Sequence, residues 1–423
     1  VEGYLLDNIK HNLADLAKLY EHVFWLDSCS QGNAFGIGEY ELLVGLGAKR
    51  TLDLIPGEFD WEEFNDFVST NSWKFFALSY DLKTEIQDLP SSNHAHFHWP
   101  LISIVEPEIV VTISRESDVQ VSGIHITSLT SKPQESRTSN FKLSFSHIRS
   151  SMTKSEHHAR VMQIKHEIAK GNMYEMNLCM EHVLNDFACD KPFELFQRLI
   201  NSSPTPFSAF VKLAEKHVLC ASPERYLSVQ DGVVYAQPIK GTSQRFRDEN
   251  KDAASRLHLA NSIKERAEHI MIVDLVRNDL SRLCDAGTVR VDELFGIYGY
   301  RHVNQMISTI SGQLSNAFNF TDTIQATFPM GSMTGAPKYI VLKFIEELET
   351  AKRGWYSGSI GYIDPKGNMD SNVVIRSLLY DNKANCASFS VGGAITFDSD
   401  PDQEYEECLL KSKAIRMLLE TNV

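Results

Sequence analysis

No stretch of this sequence is apolar for long enough to cross a bilayer, although hydrophobic residues make up 43% of its 423 positions. That content belongs to a core, and a soluble protein is expected. The first residues, Val1-Glu2-Gly3-Tyr4, offer neither a basic n-region nor an apolar h-region, so the expected location is cytoplasmic. Cysteine is sparse, with seven residues at 29, 179, 189, 220, 284, 386 and 408 and no Cys-x-x-Cys pair. An odd, scattered set argues against a disulfide framework and against a thiolate zinc site. A basic stripe is also missing, and the net charge of −14 disfavours nucleic acid or an anionic membrane as partner. An anionic substrate is still allowed, because a metal and a few cations can act locally in a cleft.

The length suits two closely packed lobes or one composite domain of layered sheets and helices. Residues 1–145 read as an N-terminal α+β lobe with short β-type runs at Phe75 to Tyr80 and Ile109 to Ile113. The polar stretch Ser128 to Asn140 reads as an exposed linker, which places the boundary of the second unit, 146–423. In that unit Ser155 to Gly171 has helical spacing and ends at a glycine. A strand follows over Met173 to Leu184. Asp231-Gly232 between two apolar runs predicts a hairpin within 217–242. The stretch 248–283 is the longest helix-compatible one, strand-like runs recur at 288–313 and 354–397, and a final helix begins near Asp402. Strands grouped in hairpins, without βαβ alternation, predict an α+β fold with antiparallel sheets.

Four patterns carry candidate chemistry. Ser222-Pro-Glu224-Arg is followed across the hairpin by Pro238-Ile-Lys240-Gly-Thr, and a second strand folding back brings Glu224 and Lys240 near each other. A carboxyl and an amine there suit an acid and a nucleophile, with a surface salt bridge as the competing reading. Glu265 with Glu268, and Glu404 with Glu407, each lie three apart on one helix face. Two such helices across a cleft present up to four carboxylates, a set that suits Mg²⁺ and not zinc, against the alternative of two solvated acidic faces.

Gly331-Ser-Met-Thr334-Gly335-Ala-Pro-Lys338 leads into a helix whose free N–H groups favour an anion, or it is a plain proline-containing cap. It lacks the spacing of a phosphate loop. Arg376, Gly392-Gly393 and Lys411 form the last set. Arg376 can clamp a carboxylate at two points or make a structural ion pair, and Lys411 lies one helical turn from Glu407.

Taken in order, these motifs resemble the chorismate-utilising enzymes, with a dense match over about 155–423. Glu265-Arg-Ala-Glu268 running into Asp274-Leu-Val-Arg277-Asn278-Asp279, His302-Val, Tyr356-Ser-Gly358 and Arg376-Ser add to the series. The N-terminal match is looser, through Phe24-Trp25-Leu26-Asp27-Ser28, similar to the family's segment near a tryptophan pocket. The resemblance implies two antiparallel sheets packed face to face with helices outside. It implies that Lys240, where anthranilate-forming members usually carry Ala, marks the aminodeoxychorismate-forming branch, with the anthranilate-forming branch as the alternative.

On that resemblance Lys240 attacks C2 of chorismate as the C4 hydroxyl leaves, Glu224 acts as general acid, and ammonia at C4 then expels the lysine. Only a neutral amine attacks, so burial or nearby positive charge is expected to favour deprotonated Lys240. Mg²⁺ is expected on Glu268 and Glu407 with Glu265 and Glu404 close by. Tyr356, Arg376, Gly392, Gly393 and Lys411 are expected around the substrate carboxylates, with His302 and Thr334 facing the ring and Gly335 also binding substrate.

Two positions depart from the pattern. Glu175 stands where amine-transferring members commonly have Gln and water-using members Lys, and Ala394 replaces a third glycine of the expected turn at Gly392. The chain shows no glycine-framed cysteine elbow and no surplus length to house a glutaminase, so ammonia is expected from a separate glutamine amidotransferase subunit or directly from solution, and no fused lyase is expected. A catalytically silent binding protein is the other class, and intact Glu224, Lys240 and acidic couples speak against it.

Overall fold

The fold is taken from a computed structural model that describes residues 2–31, 36–116, 118–123 and 141–420, with side chains from residue 8 onward. The stretch 128–140, read from the sequence as a linker, lies outside the described residues. Two large sheets dominate, one of eleven strands and one of ten. Every pairing between their strands is antiparallel, as the hairpin pattern predicts.

Both sheets draw strands from either side of residue 145. The first contains His22–Asp27 beside Phe207–Leu213, and the second contains Lys74–Leu78 beside Ser359–Ile363. The stretches 1–145 and 146–423 therefore share one core. Alternate residues of the first sheet point to opposite faces, and both faces are covered. Phe24, Val218 and Cys220 join the cluster between the sheets, with Phe76, Leu227 and Ile310 from the second. Val23, Trp25 and Leu219 face outward onto Leu13, Phe193, Phe196 and Leu419 of the covering helices. Burial on both faces explains why these strands read as continuous apolar runs.

The predicted hairpin is present: Arg225–Gln230 pairs with Val233–Gln237 around Asp231 and Gly232, which have φ of 50° and 79°. Two central residues at positive φ match the twist of the flanking strands, and glycine takes that conformation without a Cβ penalty. The helix expected across 248–283 divides into Glu249–Asn261 and Ile263–Ser281. Ser262 leaves helical geometry at ψ 114° and its hydroxyl caps the Glu265 amide at 3.3 Å. A serine offers the backbone a local bond that competes with helix continuation. The break puts Glu265 in the first turn of a new helix, with Glu268 one turn further along the same face. No helix among the described residues is long and apolar enough to cross a membrane.

Candidate active site

Glu224 precedes the first hairpin strand and Lys240 is the second residue of the next one, Ile239–Gln244. Arg225 pairs with Gln237, so the chain returns Lys240 to the side of Glu224. Glu224 is 6% exposed, and burial pushes its carboxyl up to about 7 against the pull of the Ser332 hydroxyl, Lys240 and Arg376. A carboxyl poised near neutrality suits a general acid, whose proton must be both present and transferable. A salt bridge at the surface, the competing reading, is excluded by this burial.

Lys240 finds its direct partner elsewhere. Its Nζ donates to Glu175 Oε1 at 2.6 Å, and Glu175 is 1% exposed. Glu175 opens the strand Glu175–Asn185, next to last along the first sheet, whereas Lys240 lies on the terminal strand of the second. The ion pair therefore bridges the mouth between the sheets. The expectation that surroundings favour a neutral amine needs correction here. Burial does disfavour the ammonium, but Glu175, and after it Glu268 and Glu224, outweigh burial and raise the lysine's proton affinity. Its charged neighbours are negative.

The loop from Gly331 supplies the opposite wall. Thr334 is fully buried and donates to the carbonyls of Met330 and Gly331 at 3.2 and 3.1 Å, while its own carbonyl takes the Asn177 amide. Gly335 has φ 145° and pairs with Met176, and a Cβ there would lie 2.1 Å from the Glu175 carbonyl. Arg353 fixes this wall from behind. It donates to Met333 O at 2.6 Å and Asn177 O at 3.0 Å and grips both oxygens of Glu349 at 2.7 and 2.9 Å. Lys338, the first helical residue after the loop, turns its ammonium to Asp279 at 2.6 Å.

Arg376 faces Glu224 and has φ 52°, a left-handed conformation that costs energy for a side-chain-bearing residue. Among the described residues it makes no ion pair within 4 Å, which favours the carboxylate clamp over the structural pair. Tyr356 is buried with its hydroxyl against Cys179. His302 is exposed on the turn between Arg290–Gly299 and Val303–Gln313, where its carbonyl takes the Arg245 amide. The structure does not gather it with Lys240 and Glu224.

The acidic couples lie in the first two turns of two helices, Ile263–Ser281 and Pro401–Glu420. Glu404 is buried, accepts the Ser399 hydroxyl at 2.7 Å and stands 3.2 Å from where a Gly393 Cβ would be. Glu265 Oε2 likewise lies 2.9 Å from a Cβ position at Gly241, beside Lys240. Gly392 and Gly393 lie within the strand Cys386–Ile395 and form no turn, which corrects the expected glycine turn. Glycine is needed at 392 because a Cβ would come 2.6 Å from the Leu178 carbonyl of the paired strand. Lys411 pairs with Glu407 at 2.7 Å and donates to the Gly392 carbonyl at 2.8 Å.

Among the described residues no three His, Cys, Asp or Glu side chains form a finished metal cage. Two observations nonetheless fit a hard cation. All donors are carboxylate oxygens, and burial, with Glu265 and Glu175 adding to it, pushes Glu268 up to about 7 although Lys240 and Lys264 oppose the shift. The Lys264 ammonium lies 3.9 Å from Glu268 and its charge also favours the ionised forms of Glu404 and Glu407.

The model of the chorismate binding enzyme family matches residues 21–417. The chain belongs to the chorismate binding enzyme family. It is 39% identical over 274 residues to aminodeoxychorismate synthase component 1 of Klebsiella aerogenes, covering 64% of this chain and 60% of that protein. Against the component 1 of Escherichia coli K12 it is 35% identical over 333 residues, 78% of this chain and 71% of the relative. The chain thus spans about three-fifths of the first relative and somewhat more of the second. Anthranilate synthase component I from Streptococcus pneumoniae superposes with a TM-score of 0.77 at 22% identity, covering 91% of this chain and 94% of that one, a likeness of fold.

In this member of the family the residues Ser332, Glu349 and Arg353 were not singled out from the sequence. Ser332 lay inside the Gly331 to Lys338 motif, and its hydroxyl donates to Glu224. A donor to the charged form lowers a carboxyl's proton affinity, so Ser332→Ala should raise that of Glu224 and shift the alkaline fall of kcat to higher pH. A pH–rate profile of the two proteins measures it. The Phe24 to Ser28 segment contributes Leu26, Asp27 and Ser28 to a small pocket that Tyr40, Phe207 and Asp370 help to line. Arg225, next to Glu224, grips Asp370 at 2.7 and 2.8 Å, so this cavity and the acid share a buried neighbour.

Proposed function

We propose that this chain is the subunit that forms 4-amino-4-deoxychorismate from chorismate and ammonia, the first step toward p-aminobenzoate. The observation that carries the reading is a largely buried lysine, Lys240, near a carboxyl pushed up to about 7, Glu224, with Arg376 facing that carboxyl. A lysine at this position supports the amine-transferring reading over the anthranilate-forming one. The names of the relatives point the same way.

In this mechanism the Nζ lone pair of Lys240 forms a bond to ring C2. The C1=C2 pair moves to C1=C6, the C5=C6 pair to C4=C5, and the C4–O bond breaks. Glu224 gives its proton to the departing hydroxyl, which leaves as water. Ammonia then bonds to C4, the electron shifts reverse, and Lys240 leaves C2 as a neutral amine. Glu224, now a carboxylate, takes a proton from the new ammonium group. Arg376, Lys411, Tyr356 and the strand backbone at Gly392 and Gly393 surround the carboxylates, and Thr334 and Gly335 border the ring.

Glu268 and Glu407, with Glu265 and Glu404 beside them, would hold Mg²⁺, which would supply charge neutralisation and orientation at the ring carboxylate. Residues 146–423 carry this chemistry and 1–145 complete the two sheets. The component 1 naming of the relatives supports a partner, a glutamine amidotransferase that feeds ammonia. A cytoplasmic setting belongs to the same reading, supported by cysteines that are all unpaired.

Incubation with chorismate, Mg²⁺ and ammonium, followed by an aminodeoxychorismate lyase, should yield p-aminobenzoate. Anthranilate would assign the anthranilate branch, and no turnover would favour a silent binder. Chelation should stop turnover and Mg²⁺ restore it. Glu268→Gln should raise the Mg²⁺ needed for half-maximal rate by about tenfold or more, as expected from loss of a metal-supporting group. An unchanged Mg²⁺ titration would remove Glu268 from the site. Since Glu224 must enter the step protonated, kcat should fall as pH rises through about 7, and Glu224→Gln should remove that limb with a loss of roughly 10²–10⁴ in rate.

A further inference from the structure

The mechanism above needs Lys240 without its third proton, yet the structure holds that amine as an ion pair. Among the described residues Glu175 is the one acidic side chain within 4 Å of Nζ, at 2.6 Å. The other groups facing the amine are placed otherwise. Glu268 on the Ile263–Ser281 helix, Glu224 before the hairpin and Glu407 on the final helix act on it only at longer range. Glu224 is committed as the acid. His269 bonds the Ser308 hydroxyl, and burial pushes it down to about 4.

We propose that Glu175 is the proton acceptor that turns Lys240 into a nucleophile, working through the short contact across the mouth of the two sheets. This rests on the reading of Lys240 as the attacking group. The N–H bond of the ammonium breaks, its electron pair stays on Nζ, and the proton binds Oε1. An ion pair becomes a neutral amine and a neutral acid, with no proton exchanged with solvent. When Lys240 later leaves C2 as a neutral amine, Glu175 returns the proton.

The second oxygen supports this. Glu175 Oε2 is buried without a hydrogen-bond partner among the described residues. A carboxylate oxygen left so is costly, whereas the carbonyl oxygen of a protonated acid is far less so. No donor among the described residues holds that oxygen, so Oε1 and its short contact with Nζ are the carboxyl's one polar link. Substrate entry displaces water from the mouth, which favours the neutral pair over the ion pair. A glutamine here would hold the lysine in place but could not take its proton.

Two measurements on the full-length protein test the inference. The first is kcat/KM for chorismate with ammonium in wild type, Glu175→Gln and Glu175→Asp across pH. Wild type carries the transferable proton within the pair, whereas Glu175→Gln must lose it to solvent. The ratio of Glu175→Gln to wild type should therefore rise about tenfold per pH unit until the variant's Lys240 is neutral, while the Glu224 limb cancels. The Glu175→Asp ratio should stay level, because a carboxylate is retained. A pH-independent Glu175→Gln ratio overturns the proposal.

The second is competitive acetylation by acetic anhydride, read on the Lys240 peptide. Its midpoint should fall by about one pH unit or more in Glu175→Gln, because the ammonium loses its counter-charge. An unchanged midpoint also overturns the proposal. This readout needs no turnover, so a protein that labels as expected yet makes no aminodeoxychorismate would instead contradict the functional reading.

Discussion

Lys240→Ala lowers kcat/KM for chorismate with ammonium by about 10³-fold or more, which is about 4 kcal/mol of transition-state stabilisation. The size follows from what the substitution removes and what it leaves. Glu224, Arg376 and the acidic couples stay, so chorismate should still bind and KM should change less than kcat. What goes is the covalent step, and a direct displacement at C4 must replace two easier ones. Alanine also strands Glu175 as a buried charge, which by itself would destabilise the protein. Lys240→Gln separates the two effects, since an amide still hydrogen-bonds Glu175 but cannot attack. Both variants should be inactive in steady-state assays, and the glutamine variant should keep the higher unfolding temperature. Activity retained in Lys240→Gln would remove lysine from the chemistry.

Glu349→Ala destabilises the protein by about 3–5 kcal/mol, the largest stability effect expected outside the core. Arg353 and Glu349 have side chains only 3% and 4% exposed and meet through a two-point pair. Removing the carboxylate leaves a guanidinium that burial disfavours and that no water can reach. The loss also passes to the site. Glu349 accepts the Cys179 amide at 2.8 Å, and Arg353 holds Met333 O, one residue from Ser332 and Thr334. Thermal unfolding reads the first effect, and the pH position of the Glu224 limb reads the second, because a displaced Ser332 no longer donates to it. Paired replacement of both by apolar residues of similar volume should recover much of the stability without recovering the limb.

The hairpin through Asp231-Gly232 was legible because its turn chemistry is local, and it alone sufficed to bring Glu224 to Lys240. The antiparallel α+β class was legible for the same reason. The interleaving of 1–145 with the later strands was not, since sheet partners far apart in sequence leave no local signal. The helix break at Ser262 was hidden inside a helix-compatible composition and is visible only through the serine's cap. Glycines 392 and 393 carry their meaning in contacts across the sheet, so their spacing suggested a turn where a strand exists. The protonation of Lys240 was misjudged because its counter-ion, Glu175, sits 65 residues away on the other sheet. The acidic couples were readable from three-residue spacing, whereas the Lys264 ammonium among them was not.

The claim at the centre of this account is that Lys240 bonds to chorismate. Rapid-quench mass spectrometry of the wild type with chorismate and Mg²⁺, before ammonium is added, measures it most directly. The account predicts that the peptide carrying Lys240 gains the mass of chorismate less one water, and that the added mass vanishes as aminodeoxychorismate forms on mixing with ammonium. Aminodeoxychorismate appearing at its full rate with that peptide unmodified at every time point would contradict it.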